Sequence, residues 1–326
     1  MSITASTAAS GGTGGADRAK AVRTLAGAPG PDARTVEAKA LSAALPELLV
    51  EAQRVAASVV AGWHGRRRPG AGETFWQFRP FISGEPAHRI DWRRSARDDH
   101  LYVREREWEA AHTIWLWADM SVSMAFRSPL SNVVKRDRAV VLMIALAELA
   151  ARGGERVGAL GLAPPVASRN AAERIATALM HRGDEPVASG LPAIGEVRGF
   201  SDVVAIGDLI DPVDDLVGWI EGLAGRGVRG HLVQVLDPAE ETFPFDGRTE
   251  FEDPETGARL VAGRAEDWRA AYRDRLAAHR ETVRAAAIRA GWSFIVHHTD
   301  RPASEALLAV HAALSGSGGM AGGRQF

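Results

Sequence analysis

The residues best suited to chemistry in this chain are four oxygen donors. Asp119, Ser121 and Ser123 form an Asp-x-Ser-x-Ser run directly after the apolar stretch at 113–118 (TIWLWA), and Asp208 follows a second apolar stretch, VVAIG. In a turn leaving a strand, alternate side chains can point the same way, so a carboxylate and two hydroxyls converge. A second strand end can bring another carboxylate to the same place. Such a set is all-oxygen and suits a hard divalent cation: Mg²⁺, which keeps several waters, or Mn²⁺ or Ca²⁺. Ligand positions then stay open to water or to a carboxylate of another molecule. Taken alone, the same run also fits a helix start, with Ser121 and Ser123 only capping or turning the chain. The strand context and the second acidic strand end favour the cation.

The elements that must hold these donors are legible as an alternation. Residues 113–118 are short, β-branched and aromatic, the pattern of a buried parallel strand. Residues 132–152 read as a helix apolar almost all round, which requires cover on both sides. Strands are expected at 156–162, 202–206, 231–236 and 292–297, and helices at 171–181, 213–224, 267–290 and 303–314. That order implies right-handed crossovers and an α/β, doubly wound, mainly parallel sheet, in which ligands bind beyond the carboxyl ends of the strands. Asp119 and Asp208 both stand there.

Around this domain, at 111–314, the chain divides into further parts. Residues 1–34 are small, polar and Gly-rich and are expected to be disordered. Residues 35–110 are expected to supply an N-terminal helix, with an apolar stripe through Leu45, Leu48, Leu49, Ala52, Val55, Val59 and Val60, and a small β extension packed on the main domain. An antiparallel hairpin near 248–262 is expected as an insertion at the sheet edge, and 315–326 as a flexible Gly-rich tail.

Composition removes several classes of function. With no Cys among 326 residues, disulfides, thiolate nucleophiles and cysteine metal sites are excluded, which fits a cytoplasmic protein. No signal peptide or membrane span is expected, because the most apolar stretch, 139–151, is short and contains Glu148. A net charge of −2 argues against a surface devoted to nucleic acid. Residues 64–106 do hold ten Arg among interleaved aromatics, but six acidic residues are interspersed with them, so nucleic acid is an unfavoured partner. His297 and His298 read as packing and surface residues, Asp214 and Asp215 as a first helical turn, and Glu240 and Glu241 as a solvated loop. Phosphate-loop, nucleophile-elbow and zinc-protease motifs are missing, and no catalytic residue is expected.

The run Asp119 to Met124 resembles the metal-ion-dependent adhesion site of von Willebrand factor A domains. Together with Gly84 to Trp92, Ser95-Ala96-Arg97, Asp237 to Glu240 and Phe251 to Gly257, it makes the chain similar to the bacterial domain of unknown function 58 family from about Gly62 to the last helix. The family pattern has Gly-Asp and two Arg where this chain has Gly84-Glu85 and His88-Arg89. The resemblance implies a von Willebrand factor A-like, Rossmann-type fold. It also implies Ser189 as a third-loop hydroxyl ligand beside Asp119, Ser121, Ser123 and Asp208, in the place of the usual Thr. Such proteins are linked with MoxR-type AAA+ ATPases, so the implied function is a metal-dependent protein-interaction adaptor for that ATPase or its client. The alternatives are a divalent-metal hydrolase of phosphoesters and a nucleic-acid-associated protein using the Arg-rich segment.

Overall fold

The computed structural model describes residues 4–7, 46–59, 75–82, 86–87, 90–97, 100–106, 112–182, 190–253 and 256–317. Two compact units result: Gly62–Ala111, and a larger one formed by Met1–Ala61 with His112–Phe326. The larger unit opens with strand β1 (Thr4–Thr7) and helix α1 (residues 46–59). The smaller unit holds β2 (Phe75–Pro80), α2 (Trp92–Ser95) and β3 (Tyr102–Arg106), with β2 and β3 antiparallel. Asp91 starts α2 by accepting the Arg94 amide at 2.9 Å, and the Arg94 guanidinium lies 4.7 Å over the Tyr102 ring.

The larger unit resumes with β4 (Thr113–Ala118), α3 (Lys135–Arg152), β5 (Arg156–Ala159), β6 (Ala163–Val166) and α4 (Ala171–Arg182). It continues with β7 (Ser201–Gly207), α5 (Val213–Ala224), β8 (Arg229–Leu236), α6 (Pro238–Thr242), β9 (Thr249–Glu252) and β10 (Arg259–Ala262). Helix α7 (Arg269–Arg289), β11 (Ser293–His298) and α8 (Ala303–Ser317) complete it. The central sheet has the order β11-β8-β7-β4-β5-β6, and every pairing is parallel except β5 with β6. This is the expected α/β architecture with a mostly parallel sheet.

Strand alternation divides the core between the two faces of that sheet. Ile114, Leu116 and Ala118 of β4 pack with α1, α3, α4 and α8, whereas Trp115 packs on the other face with α5 and α7. Helix α3 is buried almost all round, because α1, α4 and α8 share its cover. Leu48, Ala52, Ala56 and Val59 place α1 in this core. The helix therefore belongs to the larger unit, while the Arg- and aromatic-rich segment that follows it forms the smaller one.

Two expectations about strands are corrected. The single strand expected at 156–162 ends at Ala159 and turns back through Gly161, whose φ is +66°, into β6. Strand β6 carries Pro164 and Pro165, which an edge position tolerates because no partner there needs their missing N–H groups. The hairpin of β9 and β10 does not extend the central sheet. It forms a separate three-stranded sheet with β1, which lies within the segment expected to be disordered. Phe251 is the reason: it turns inward onto Phe243, Phe245 and Trp268, so the hairpin has its own small aromatic core. Among the described residues, no helix is long and apolar enough to cross a membrane.

Candidate functional site

The site is built where β4 and β7 end side by side. The Asp119 amide donates to the Ile206 carbonyl at 2.8 Å, which carries the parallel pairing one residue beyond β4. Gly207 is required there: a Cβ on it would stand 2.8 Å from the Asp119 Cβ. Past Asp208 the chain reverses at Leu209, a non-glycine residue with φ of +52°, and the Ile210 amide faces back towards Asp208 Oδ1 at 3.4 Å. Left-handed backbone at a buried leucine is strained, and here it aims a carboxylate.

Four of the expected donors come together as one chain of hydrogen bonds. Asp119 Oδ1 accepts the Ser121 amide at 2.8 Å, the two serine hydroxyls are 2.9 Å apart, and Ser123 Oγ donates to Asp208 Oδ2 at 2.7 Å. A hydroxyl has one proton, and that of Ser123 lies on Asp208, while the Ser121 hydroxyl lies between Ser123 Oγ and the Asp119 carboxylate. Ser121 does stand at the N-cap of a short 3-10 helix, Val122–Ala125, but its side chain makes no capping bond. The Ser121 side chain bonds within the cluster and does not cap that helix. Ser189 lies outside the described residues.

Three residues of the cluster were not anticipated. Lys135, the first residue of α3, is 0% exposed and donates to Asp208 Oδ2 at 3.0 Å and to Glu240 Oε1 at 2.7 Å. Glu240 is 6% exposed and not in a solvated loop, which corrects the reading of that residue. Its other oxygen accepts the Asp237 amide at 2.8 Å and closes a capping box at the start of α6. Gln234 donates to the Asp208 carbonyl and in turn accepts from Arg280. The capping box was visible as Asp237-Pro238-Ala239-Glu240, and Lys135 as one of only three lysines in an arginine-rich chain.

Burial and charge act differently on the two aspartates. Burial pushes the Asp119 carboxyl up to about 7, with the Asp208 charge adding to the rise and hydrogen bonding from Ser121 opposing it. Burial would raise Asp208 too, but the Lys135 charge and hydrogen bonds from Ser123, Lys135 and Ile210 outweigh it and hold that carboxyl below its ordinary range. Glu240 is raised by burial, against the pull of Lys135. Asp237 is compensated separately, by the Ala239 and Ser128 amides at 2.9 Å each. Asp208 and Glu240 thus share one ammonium, and Asp119 stands beside Asp208 with no cationic partner among the described residues. Among the described residues no group of three or more His, Cys, Asp or Glu side chains is arranged to hold a metal. The donor set here is two carboxylates with two hydroxyls.

The other candidates lie outside this cluster. His297 is buried and pushed down to about 3 by desolvation and the nearby Arg138 charge, so it stays neutral. His298 pairs with Glu241, which also accepts from Arg280 at 2.8 Å. Asp214 and Asp215 occupy the first turn of α5, as expected.

Fold and site together define an α/β protein with a buried, acid-rich cluster at the carboxyl edge of a mainly parallel sheet. The chain belongs to the family described as protein of unknown function DUF58, matched over residues 77–282. It is similar to uncharacterised proteins of Mycobacterium tuberculosis and Mycobacterium bovis, each 29% identical over 234 residues, or 67% of this chain and 72% of theirs. Two solved structures are matched over 63% of this chain and their full length. They are conserved hypothetical protein BatB from Bacteroides thetaiotaomicron, at 14% identity and a TM-score of 0.35, and an aerotolerance-related membrane protein from Bacteroides fragilis, at 16% and 0.38.

Proposed function

We propose that the larger unit is a metal-dependent protein-binding module of the von Willebrand factor A type. On this reading Asp119, Ser121, Ser123 and Asp208 hold one divalent cation, Mg²⁺ or Mn²⁺ or Ca²⁺, and an acidic side chain of a partner completes its shell. The observation that carries it is the uncompensated charge: three buried carboxylates to one ammonium, with Asp119 accepting hydrogen bonds only from Ser121 among the described residues. With all three carboxylates ionised a dication would bring the cluster to neutrality, and the raised Asp119 carboxyl reflects how poorly the cluster tolerates its third charge without one. The donors fit such an ion chemically, because Ser121 and Ser123 each keep lone pairs and every ligand atom is oxygen.

With few protein ligands, several positions of the shell belong to water, and an incoming carboxylate can replace one. That contact is directional and charge-paired, which a flat polar surface is not. The partner suggested by the family resemblance is a MoxR-type AAA+ ATPase or its client, with assembly or chaperone work as the setting.

The test has two stages. Titration calorimetry with Mg²⁺ and Mn²⁺ is expected to give one site of micromolar to millimolar affinity, abolished in Asp119→Ala. Unchanged binding in that variant would overturn the site. Capture of the purified MoxR-type ATPase encoded by the same organism is then expected to be lost with EDTA, restored by Mg²⁺, and absent in Asp119→Ala. Capture indifferent to EDTA would take the cation out of the function.

A further inference from the structure

We infer that Lys135 and Glu240 form a built-in charge brace that sets how tightly the Asp119 and Asp208 pair takes a divalent cation; this rests on the metal reading above. Lys135 is a costly residue in its position. It is wholly buried, and it opens an 18-residue helix, the end at which the helix dipole disfavours a cation. Leucine or methionine would fill the same space without charge. The lysine is held there by two charge-assisted bonds, to Asp208 Oδ2 at 3.0 Å and Glu240 Oε1 at 2.7 Å.

The brace is rigid at both ends. Glu240 cannot swing away, because its second oxygen caps α6 at the Asp237 amide. Asp237 is itself tied to the Ser128 amide, in the segment that follows the Asp119 loop. At the other end, Asp208 Oδ2 receives both the Ser123 hydroxyl and the Lys135 ammonium, while Oδ1 receives only the long 3.4 Å contact from Ile210. Lys135 thereby selects which oxygen of Asp208 is left for a cation and withdraws part of its negative charge. Glu240, on the far side of the ammonium, returns part of it.

The two residues therefore pull cation affinity in opposite directions. A purely structural ion pair has no such property: losing either member only lowers stability. Lys135 and Glu240 are positioning residues in this scheme, acting on the cation through Asp208. They keep the apo cluster from carrying three bare carboxylates and keep its grip on the ion loose enough for a partner to matter.

The experiment is calorimetry of the full chain with Mg²⁺ and with Mn²⁺, comparing wild type, Lys135→Met, Glu240→Gln and Asp119→Ala, together with thermal melts with and without the ion. Lys135→Met is expected to tighten binding by about tenfold or more, since one nearby positive charge is removed from a weakly screened site. Its apo melt should be lower than wild type and should recover with Mg²⁺. Glu240→Gln keeps the side chain's shape but only one of its two acceptor oxygens, so its apo melt is read alongside, and it is expected to weaken binding by about tenfold. If Lys135→Met does not fold, Glu240→Gln decides alone. Should Asp119→Ala lose the ion while Glu240→Gln binds as wild type, or should both brace variants shift affinity the same way, the brace is overturned and the metal reading stands. Should wild type bind neither ion, both fall.

Discussion

Strand β7 carries a buried carboxylate at each of its ends, and the two are treated in opposite ways. At the amino edge of the sheet, Asp202 takes a bidentate pair from Arg229, at 2.7 and 3.1 Å, with His112 Nδ1 at 3.7 Å. The charge there is matched one to one, and Arg229, 37% exposed, still reaches water. At the carboxyl edge, Asp208 shares the single ammonium of Lys135 with Glu240, and Asp119 stands beside it with no cation of its own among the described residues. Both edges bury acid, but only one leaves negative charge over. Matched charge ties neighbouring strands together; the surplus at the carboxyl edge is what the proposed cation would neutralise.

The largest expected effect separates the two aspartates of the carboxyl edge. Asp208→Ala removes one of two partners from a wholly buried lysine, and breaking a buried pair costs about 3–5 kcal/mol, or on the order of 10 °C in melting temperature. Asp119→Ala deletes a carboxylate whose ionised form is disfavoured, so without divalent ion its melt should equal or exceed wild type. Scanning fluorimetry in EDTA reads both. A stable Asp208→Ala, or an Asp119→Ala that melts far below wild type, would mean that charge is balanced at this edge after all.

A smaller effect comes from two buried histidines. His231, on β8 and under the influence of Asp202 and Arg229, is pushed down to about 4 by desolvation; His297, on β11 beside Arg138, to about 3. A depressed folded value means the unfolded chain takes up protons first as pH falls below about 6.5, so stability present above that pH is lost progressively towards pH 4. The loss is on the order of 3 kcal/mol for each histidine by pH 4. Nε2 of both rings lacks a partner among the described residues, and His231 Nδ1 lies 2.8 Å from Ser293 Oγ. His297→Leu is therefore expected to melt at least as high as wild type at pH 7.5 and to remove part of the acid-side loss. Parallel pH curves for the two proteins would show that His297 is not buried neutral.

Asp119 and Asp208 were readable because each directly follows a short apolar run, wholly buried in β7 and mostly buried in β4, a local signal. Helix α5 fell at its expected bounds, since its apolar stripe and acidic first turn are local too. What sequence could not supply was partnership. Glu240 beside Glu241 looks like a solvated pair, and only a lysine 105 residues away makes its burial tolerable. Lys135 in turn is masked by its neighbours Arg136, Asp137 and Arg138, which read as one charged run before an apolar helix. The strand β6 was missed because Pro164 and Pro165 argue against strand unless an edge position is known in advance.

The smallest effect is the control that gives the comparison its meaning. Asp202→Asn takes the charge from the amino-edge carboxylate but keeps its shape, and Arg229 is exposed enough to be solvated. The expected loss is about 1 kcal/mol, because a partly exposed ion pair contributes little and no buried cation is stranded. More telling is what should not change: cation affinity measured by calorimetry should equal wild type, since Asp202 lies at the opposite end of β7 from Asp208. The strand spans Ser201–Gly207, so about 20 Å of backbone separates the two carboxylates, where the Coulomb interaction is a small fraction of that at contact distance. If Asp202→Asn shifted divalent affinity as strongly as Glu240→Gln, the two edges would be one electrostatic unit. The cation would then answer to the overall charge of the sheet, and the Lys135 brace would lose its special standing.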